Sequence, residues 1–218
     1  MSIADEIAEY KAFKKPQKNI NKTHKKEIYN MSTKVVTGKV RFSFCHIFEA
    51  QEPQGGGDPK YSVTLLIPKS DTATLGKIKT AMAEARENFC NRNGANALPA
   101  KPTHTMHDGD GQRPSGEDFG PECKGCYVIT VSSKQKPVIV DAFRNEITDP
   151  TEVYSGCYGR ASINFYGYSK AGKKGISAGL LSVQKLCDGE PFGTVGSADD
   201  FDDDYRDPEA GGDDDFMG

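Results

Sequence analysis

Gly156-Cys-Tyr-Gly-Arg-Ala-Ser-Ile-Asn-Phe-Tyr-Gly-Tyr168 reads as a β-strand whose two faces differ in chemistry. Side chains alternate across a strand with a period of two. Ala161, Ile163 and Phe165 fall on one face as ordinary core material, while Tyr158, Arg160, Asn164, Tyr166 and Tyr168 share the other. A solvated strand face is expected to carry Thr, Ser, Lys and Glu, so three tyrosines with an arginine need another explanation. Flat rings beside a guanidinium suit the stacking of unpaired bases next to their phosphates. Amphipathic tyrosines covering a second small core, hydroxyls toward water, fit the same pattern. The strand alone does not choose between them.

The flanking sequence continues the β pattern. Residues 176–186 read as the last strand, joined through Gly172-Lys-Lys-Gly175, which sets Lys173 and Lys174 on a hairpin tip beside the tyrosine face. Upstream, residues 34–48 alternate as one long strand with Val36, Val40, Phe42, Phe44 and Phe48 on one face and Lys39 and Arg41 on the other. The loop at 52–59 is rich in Gly and Pro. Its three glycines lack the Gly-Lys-Ser/Thr and the following helix of a phosphate-binding loop. Residues 61–67 end at Pro68 and pair with the first strand as a hairpin. Leu75, Ile78, Met82, Ala85 and Phe89 then repeat at helical steps, after a cap at Ser70 or Asp71 and before a stop at Asn93-Gly94. Nothing on this helix is chemically pointed, and it reads as scaffold. Residues 95–125 form a long irregular passage, followed by strands at 127–133 and 138–143 with Lys134 and Lys136 in the turn between them. Five or six strands with one helix describe a small barrel or sandwich.

The formal net charge of −3 hides a segregation. Residues 199–218 hold ten acids against Arg206 alone, a net −9, whereas residues 1–198 hold 27 basic against 21 acidic residues, a net +6. The tail cannot bury enough apolar surface to fold by itself. It interleaves its acids with Phe201, Tyr205 and Phe216, and such aromatics serve as anchors for a partner. Its charge also mimics a phosphate backbone. At the other end, seven lysines between Lys11 and Lys26 make residues 1–32 a flexible basic arm, either an extra phosphate contact or a dispensable leader before Met31. No apolar run is long enough to span a bilayer, and the first residues lack the basic-then-apolar pattern of a secretory signal. Six cysteines without that signal read as free thiols in a reducing cytoplasm.

Two motifs invite metal chemistry. His104-Thr-Met-His107 and Cys123-Lys-Gly-Cys126 offer His104, His107, Cys123 and Cys126 as a zinc set, against two solvated imidazoles and two incidental thiols. Zinc is the single cofactor that the spacing suggests. His107-Asp-Gly-Asp110 is compatible with a Mg²⁺ site and hence with a metal-dependent nuclease acting on DNA, but the other acids are scattered. No nucleophile with a partnered base is visible, so the chain reads as a binding protein and not an enzyme. The basic residues Arg41, Lys60, Lys134, Lys136, Arg144, Arg160, Lys173 and Lys174 fall on strand faces or hairpin tips, an arrangement suited to a single nucleic-acid strand on a β-barrel.

The segments at 60–70, Asp108-Gly-Asp110, Tyr154-Ser-Gly-Cys-Tyr-Gly-Arg160 through Tyr168, and 175–186 resemble the single-stranded DNA-binding proteins of tailed bacteriophages over residues 33–193. That resemblance implies an OB-fold-like barrel of five to six strands with one helix, flanked by the arm and by a disordered acidic tail at 194–218. It implies a protein that coats single-stranded DNA with little sequence preference during phage replication or recombination, in the cytoplasm of an infected bacterial host. It also implies a tail, through Asp213, Asp214, Asp215 and Phe216, that contacts phage or host replication proteins. A homo-oligomer is compatible with it, and a membrane is not implied. The tail ends Phe216-Met217-Gly218 where the family places a terminal aromatic, and the His/Cys pairs are not part of the family pattern. The DNA-binding residues expected from the strand pattern are Arg41, Lys60, Arg144, Tyr158, Arg160, Asn164, Tyr166, Tyr168, Lys173 and Lys174.

Overall fold

The computed structural model describes residues 33–53, 56–99, 101–170 and 172–193. The basic arm and the acidic tail lie outside the described residues. In chain order the elements are β1 (Lys34–Val36), β2 (Val40–Gln51), β3 (Lys60–Pro68), α1 (Thr72–Asn93), β4 (Thr103–His104), β5 (Met106–Asp108), β6 (Cys126–Ser133), β7 (Val138–Val140), β8 (Tyr158–Lys170) and β9 (Lys173–Cys187). Five of these close a ring by pairing β2 with β3, β3 with β6, β6 with β9, β9 with β8, and β8 back to β2. Four contacts are antiparallel, and the β6–β9 seam is parallel at Ser132 opposite Gly179. A five-stranded, partly open barrel of this kind is the OB-fold architecture.

Alternation on β8 and β9 builds the barrel interior. Ala161, Ile163 and Phe165 point in and are buried, and they face Val183, Leu180 and Ala178 across the β8–β9 ladder. Phe42, Ile47, Val63, Leu65, Ile67, Ile129 and Val131 complete the core from the other three strands. The helix packs along β8 and β1 at one side of it. Leu75, Ile78, Ala81 and Ala85 are buried at steps of three and four, with Met82 and Phe89 packed at the rim. Its cap is Asp71, whose carboxylate accepts from the Thr74 N–H at 3.0 Å, and it stops at Gly94, which has φ +104.

Three sequence expectations change. The strand expected at 34–48 breaks at Thr37–Lys39, where Gly38 N–H donates to Thr74 Oγ1 and ties the kink to the start of the helix. Within β2 the register shifts after Ser43, and Phe44 takes φ +48. That bulge turns Phe44 outward, 57 % exposed, and hands its place in the core to Ile47, so the five apolar residues do not share a face. The passage at 95–125 contains β4 and β5, which add to β9 and β6 respectively. The strand expected at 138–143 ends at Val140, because Asp141 begins a tight turn.

Candidate nucleic-acid interface

The outward row of β8 is the feature around which the surface is arranged. Successive outward residues on a strand stand about 7 Å apart. Arg160 lies near one end of the row, Tyr166 and Tyr168 follow, and Lys170 stands at the far tip. Tyr166 is 44 % exposed. Its ring lies across Gly179 of β9, where an added Cβ would stand 3.6 Å from the ring edge. The ring edge thus lies within van der Waals reach of β9 on the outer surface. This covers the β6–β9 seam, because Gly179 pairs with Ser132. Beyond the seam the outer face of β6 and β3 is lined by hydroxyls, with Thr130 and Thr64 bonded to each other at 3.0 Å.

The second-core alternative for the tyrosines has a specific answer. A second apolar cluster exists, but it is made by Leu66, Cys123 and Val128 with Phe119, Cys126 and Phe192 around it. None of the strand tyrosines belongs to it.

Cations gather at both ends of the row. At the tip, Asp58 of the β2–β3 loop pairs with Lys134, and its carboxyl is held below the usual range by that hydrogen bond first, then by the charges of Lys134, Lys170 and Lys60. One carboxylate thus marks where Lys134 of the β6–β7 turn, Lys60 at the start of β3 and Lys170 at the end of β8 converge, with Lys173 and Lys174 exposed on the same hairpin as Lys170. At the opposite end, Arg160 Nε donates to the Thr37 carbonyl at 3.0 Å, leaving the rest of an exposed guanidinium to face outward. Arg160 lines an open depression together with Lys34, Val36, Lys77 and Thr80. Among the described residues no carboxylate lines it. Between these ends, Asn88 and Arg92 of α1 share a cleft with Asn164 and Tyr166. The helix therefore brings Lys77, Asn88 and Arg92 to the surface beside the row.

Other expected residues take different places. Arg41 is half-buried, with Nε donating to Gly156 O at 2.9 Å and a terminal nitrogen to Glu190 O. Its guanidinium sits 4.2 Å from the Phe192 ring centre and 5.5 Å from that of Tyr158. This clamp fastens 189–192 to the barrel, and Tyr158, also approached by Lys39 at 4.6 Å, belongs to it. Asn164 accepts from Thr33 Oγ1 at 2.7 Å. Tyr168 is half-buried opposite Gly175. Arg144 is exposed in the turn after β7, away from the tyrosines in sequence, with φ +72.

The four residues of the zinc set are not drawn together. The His104 and His107 rings are 6.4 Å apart and His107 leans on Phe119, while Cys123 is buried in the second apolar cluster. Among the described residues no three His, Cys, Asp or Glu side chains are grouped to hold one metal ion. All six cysteines are free thiols, and burial pushes Cys45 up to about 12 and Cys123 up to about 11. Such thiols stay protonated and are poor nucleophiles.

The Asp108/Asp110 pair has a structural partner. Lys69 Nζ lies 2.6 Å from Asp108 Oδ1 and 2.7 Å from Asp110 Oδ2, and Asp110 Oδ1 accepts from Gly125 N at 2.9 Å. These bonds pin the 106–126 passage to the end of β3. Lys69 holds both carboxyls below the ordinary range, and they in turn raise the lysine. Carboxyls depressed in the native state stabilise it above their unfolded pKa, and that contribution is lost as pH falls through the lowered native values. Amide-exchange protection at Gly125 is therefore expected to decline in acid below the usual carboxylate range, and Lys69→Met is expected to remove it already at neutral pH. Equal protection in wild type and variant at neutral pH would show that the pin does not order the passage.

A barrel of this topology with a tyrosine row and cationic ends has relatives. A model of the family described as Enterobacter phage Enc34, ssDNA-binding protein matches residues 33–216. The chain belongs to that family. A curated relative, putative protein p50 of Acyrthosiphon pisum secondary endosymbiont phage 1, is 33 % identical over 178 residues, covering 78 % of this chain and 93 % of the relative. The single-stranded DNA-binding protein of bacteriophage Enc34, solved in complex with ssDNA, is 34 % identical with a TM-score of 0.61, covering 74 % of this chain and 90 % of the other. The bacteriophage T7 single-stranded DNA-binding protein gp2.5 shares the fold at 16 % identity and a TM-score of 0.51, over 80 % of this chain and 96 % of its own. Among the described residues no helix is long and apolar enough to cross a membrane.

Proposed function

We propose that this protein binds and coats single-stranded DNA with little sequence preference during phage DNA replication or recombination, in the cytoplasm of the infected host. The observation that carries the reading is Tyr166, an exposed ring laid over Gly179 between a lysine cluster at one end of its strand and Arg160 with Lys34 and Lys77 at the other. Bases stack on rings without regard to sequence, and cations track the backbone. The Enc34 protein, solved in complex with ssDNA, supports it. The acidic tail, with Asp213, Asp214, Asp215 and Phe216, acts in this reading as a recruiter of replication proteins and as a competitor for the cationic surface. The unit spanning 33–193 carries the binding, and residues 1–32 and 194–218 are appendages.

The test is fluorescence anisotropy of labelled oligo-dT over a salt series. Affinity is expected to fall linearly in log–log form, with a slope near −0.7 for each phosphate neutralised. Deleting 199–218 is expected to tighten binding at low salt by removing nine net negative charges. No anisotropy change with oligo-dT at low salt would overturn the reading, and unaltered affinity after the deletion would remove the competing role of the tail.

A further inference from the structure

The most exposed of the large apolar side chains noted among the described residues is not on β8. Phe143, 85 % exposed, stands at the tip of the turn that follows β7. This turn is not loose. The Asp141 carboxylate accepts from Phe143 N, Asn145 N and Asn145 Nδ2, each at 2.8 Å. Arg144 N donates to Asp141 O, and Asp141 N to Asn145 O, which closes the turn from within. These bonds hold the Asp141 carboxyl below the ordinary range, with the Asn145 amide the leading cause. From β9, Gln184 Nε2 donates to the carbonyls of Asp141 at 3.1 Å and Ala142 at 3.4 Å. Gln184 is the cross-strand partner of Arg160.

A bulky apolar ring held in water on a braced turn forgoes the stabilisation that burial would bring. Its neighbours say what would cover it. Arg144 beside it adopts φ +72, a conformation uncommon outside glycine, and one of only two such non-glycine positions among the described residues. Arg160 lies directly across the ladder from Gln184, which braces the turn, and Lys34 and Lys77 lie beyond Arg160. The one carboxylate inside the turn is committed to its own N–H groups. Flat apolar surface flanked by cations with no carboxylate partner among the described residues matches a nucleobase with its phosphates better than an apolar protein patch.

We propose that Phe143 is a base-stacking subsite on the braced turn after β7, with Arg144 and Arg160 contacting the phosphates on either side of the stacked nucleotide. It extends the DNA path beyond the tyrosines to the opposite end of β8, and it rests on the single-stranded DNA reading above.

The chain has no tryptophan, so Phe143→Trp places a sole indole at the tip. The full-length variant is titrated with oligo-dT while a parallel titration follows the anisotropy of labelled oligo-dT. Indole quenching that saturates together with the anisotropy is expected. Phe143→Ala is expected to weaken binding about fivefold or more, with Phe143→Tyr restoring it. Indole emission that stays constant while anisotropy reports binding overturns the subsite and leaves the general function standing. Indole emission that responds to protein concentration without DNA also overturns it, placing the tip between copies of the chain. Absence of wild-type binding in the anisotropy arm overturns the function itself, and the subsite with it.

Discussion

Tyr166→Ala is expected to weaken oligo-dT binding by roughly five- to 150-fold, the effect of losing about 1–3 kcal/mol of base stacking, with little change in melting temperature. The separation of the two readouts follows from position. Tyr166 is 44 % exposed and lies on the outer face over Gly179, whereas the core beneath is formed by Phe165, Ala178 and Leu180. Truncation leaves that core filled. Tyr166→Phe is expected to bind within about twofold of wild type, since stacking uses the ring and not the hydroxyl. The salt dependence separates this residue from its cationic neighbours. Tyr166→Ala leaves the log–log slope unchanged, whereas Arg160→Ala reduces it by about 0.7, one phosphate contact on a single strand. Anisotropy at four salt concentrations with a thermal melt of each variant measures all of this. Wild-type affinity for Tyr166→Ala would assign the ring a covering role over the β6–β9 seam.

What the sequence made legible were the parts governed by local periodicity. The two faces of 156–168 were readable because alternation is imposed by the strand itself, and Ala161, Ile163 and Phe165 are buried as that pattern requires. The helix was readable for the same reason, from Leu75, Ile78 and Ala85 and from the Asp71 cap. Resemblance supplied the closure into an OB-fold-like barrel, which no single segment encodes. Features set by tertiary contact were not legible. Phe44 sits on a bulge at φ +48, and a phenylalanine gives no signal for that conformation. Arg41 looked like any cation on a strand face, yet the carbonyls of Gly156 and Glu190 draw it into a clamp. Lys60, Lys134 and Lys170 are far apart in sequence, and only the meeting of two strand ends and the β6–β7 turn near Asp58 joins them. Asn88 and Arg92 reach the surface beside Tyr166 because α1 packs along β8, which a helical stripe does not reveal. The pattern of 138–143 makes Phe143 the end of a strand, whereas the Asp141 side chain diverts the backbone into a turn.

The strand that presents the platform depends on one glycine facing the other way. Gly159 points into the barrel opposite Val40, and an added Cβ there would stand 2.3 Å from the Gln184 carbonyl oxygen and 2.4 Å from two carbons of the Phe42 ring. Neither neighbour is free to yield. The carbonyl belongs to the β8–β9 ladder, and Phe42 is fully buried among core side chains. Gly159→Ala is therefore expected to destabilise the protein by about 3 kcal/mol, at the upper end of overpacking effects, lowering the melting temperature by roughly 6–12 °C. Gly76 supplies the opposite sign. It lies on the exposed side of α1 with no atom within 4 Å of a Cβ placed there. Gly76→Ala is expected to stabilise by about 0.5–1 kcal/mol, because alanine restricts the unfolded chain and favours the helix. Thermal and denaturant melts of the two variants beside wild type test the pair. Equal stability of Gly159→Ala and wild type would mean that β8 and β2 lie further apart than the ladder places them. Residual DNA binding by folded Gly159→Ala, compared with Tyr166→Ala, then separates the support of the strand from the contact its outer face makes.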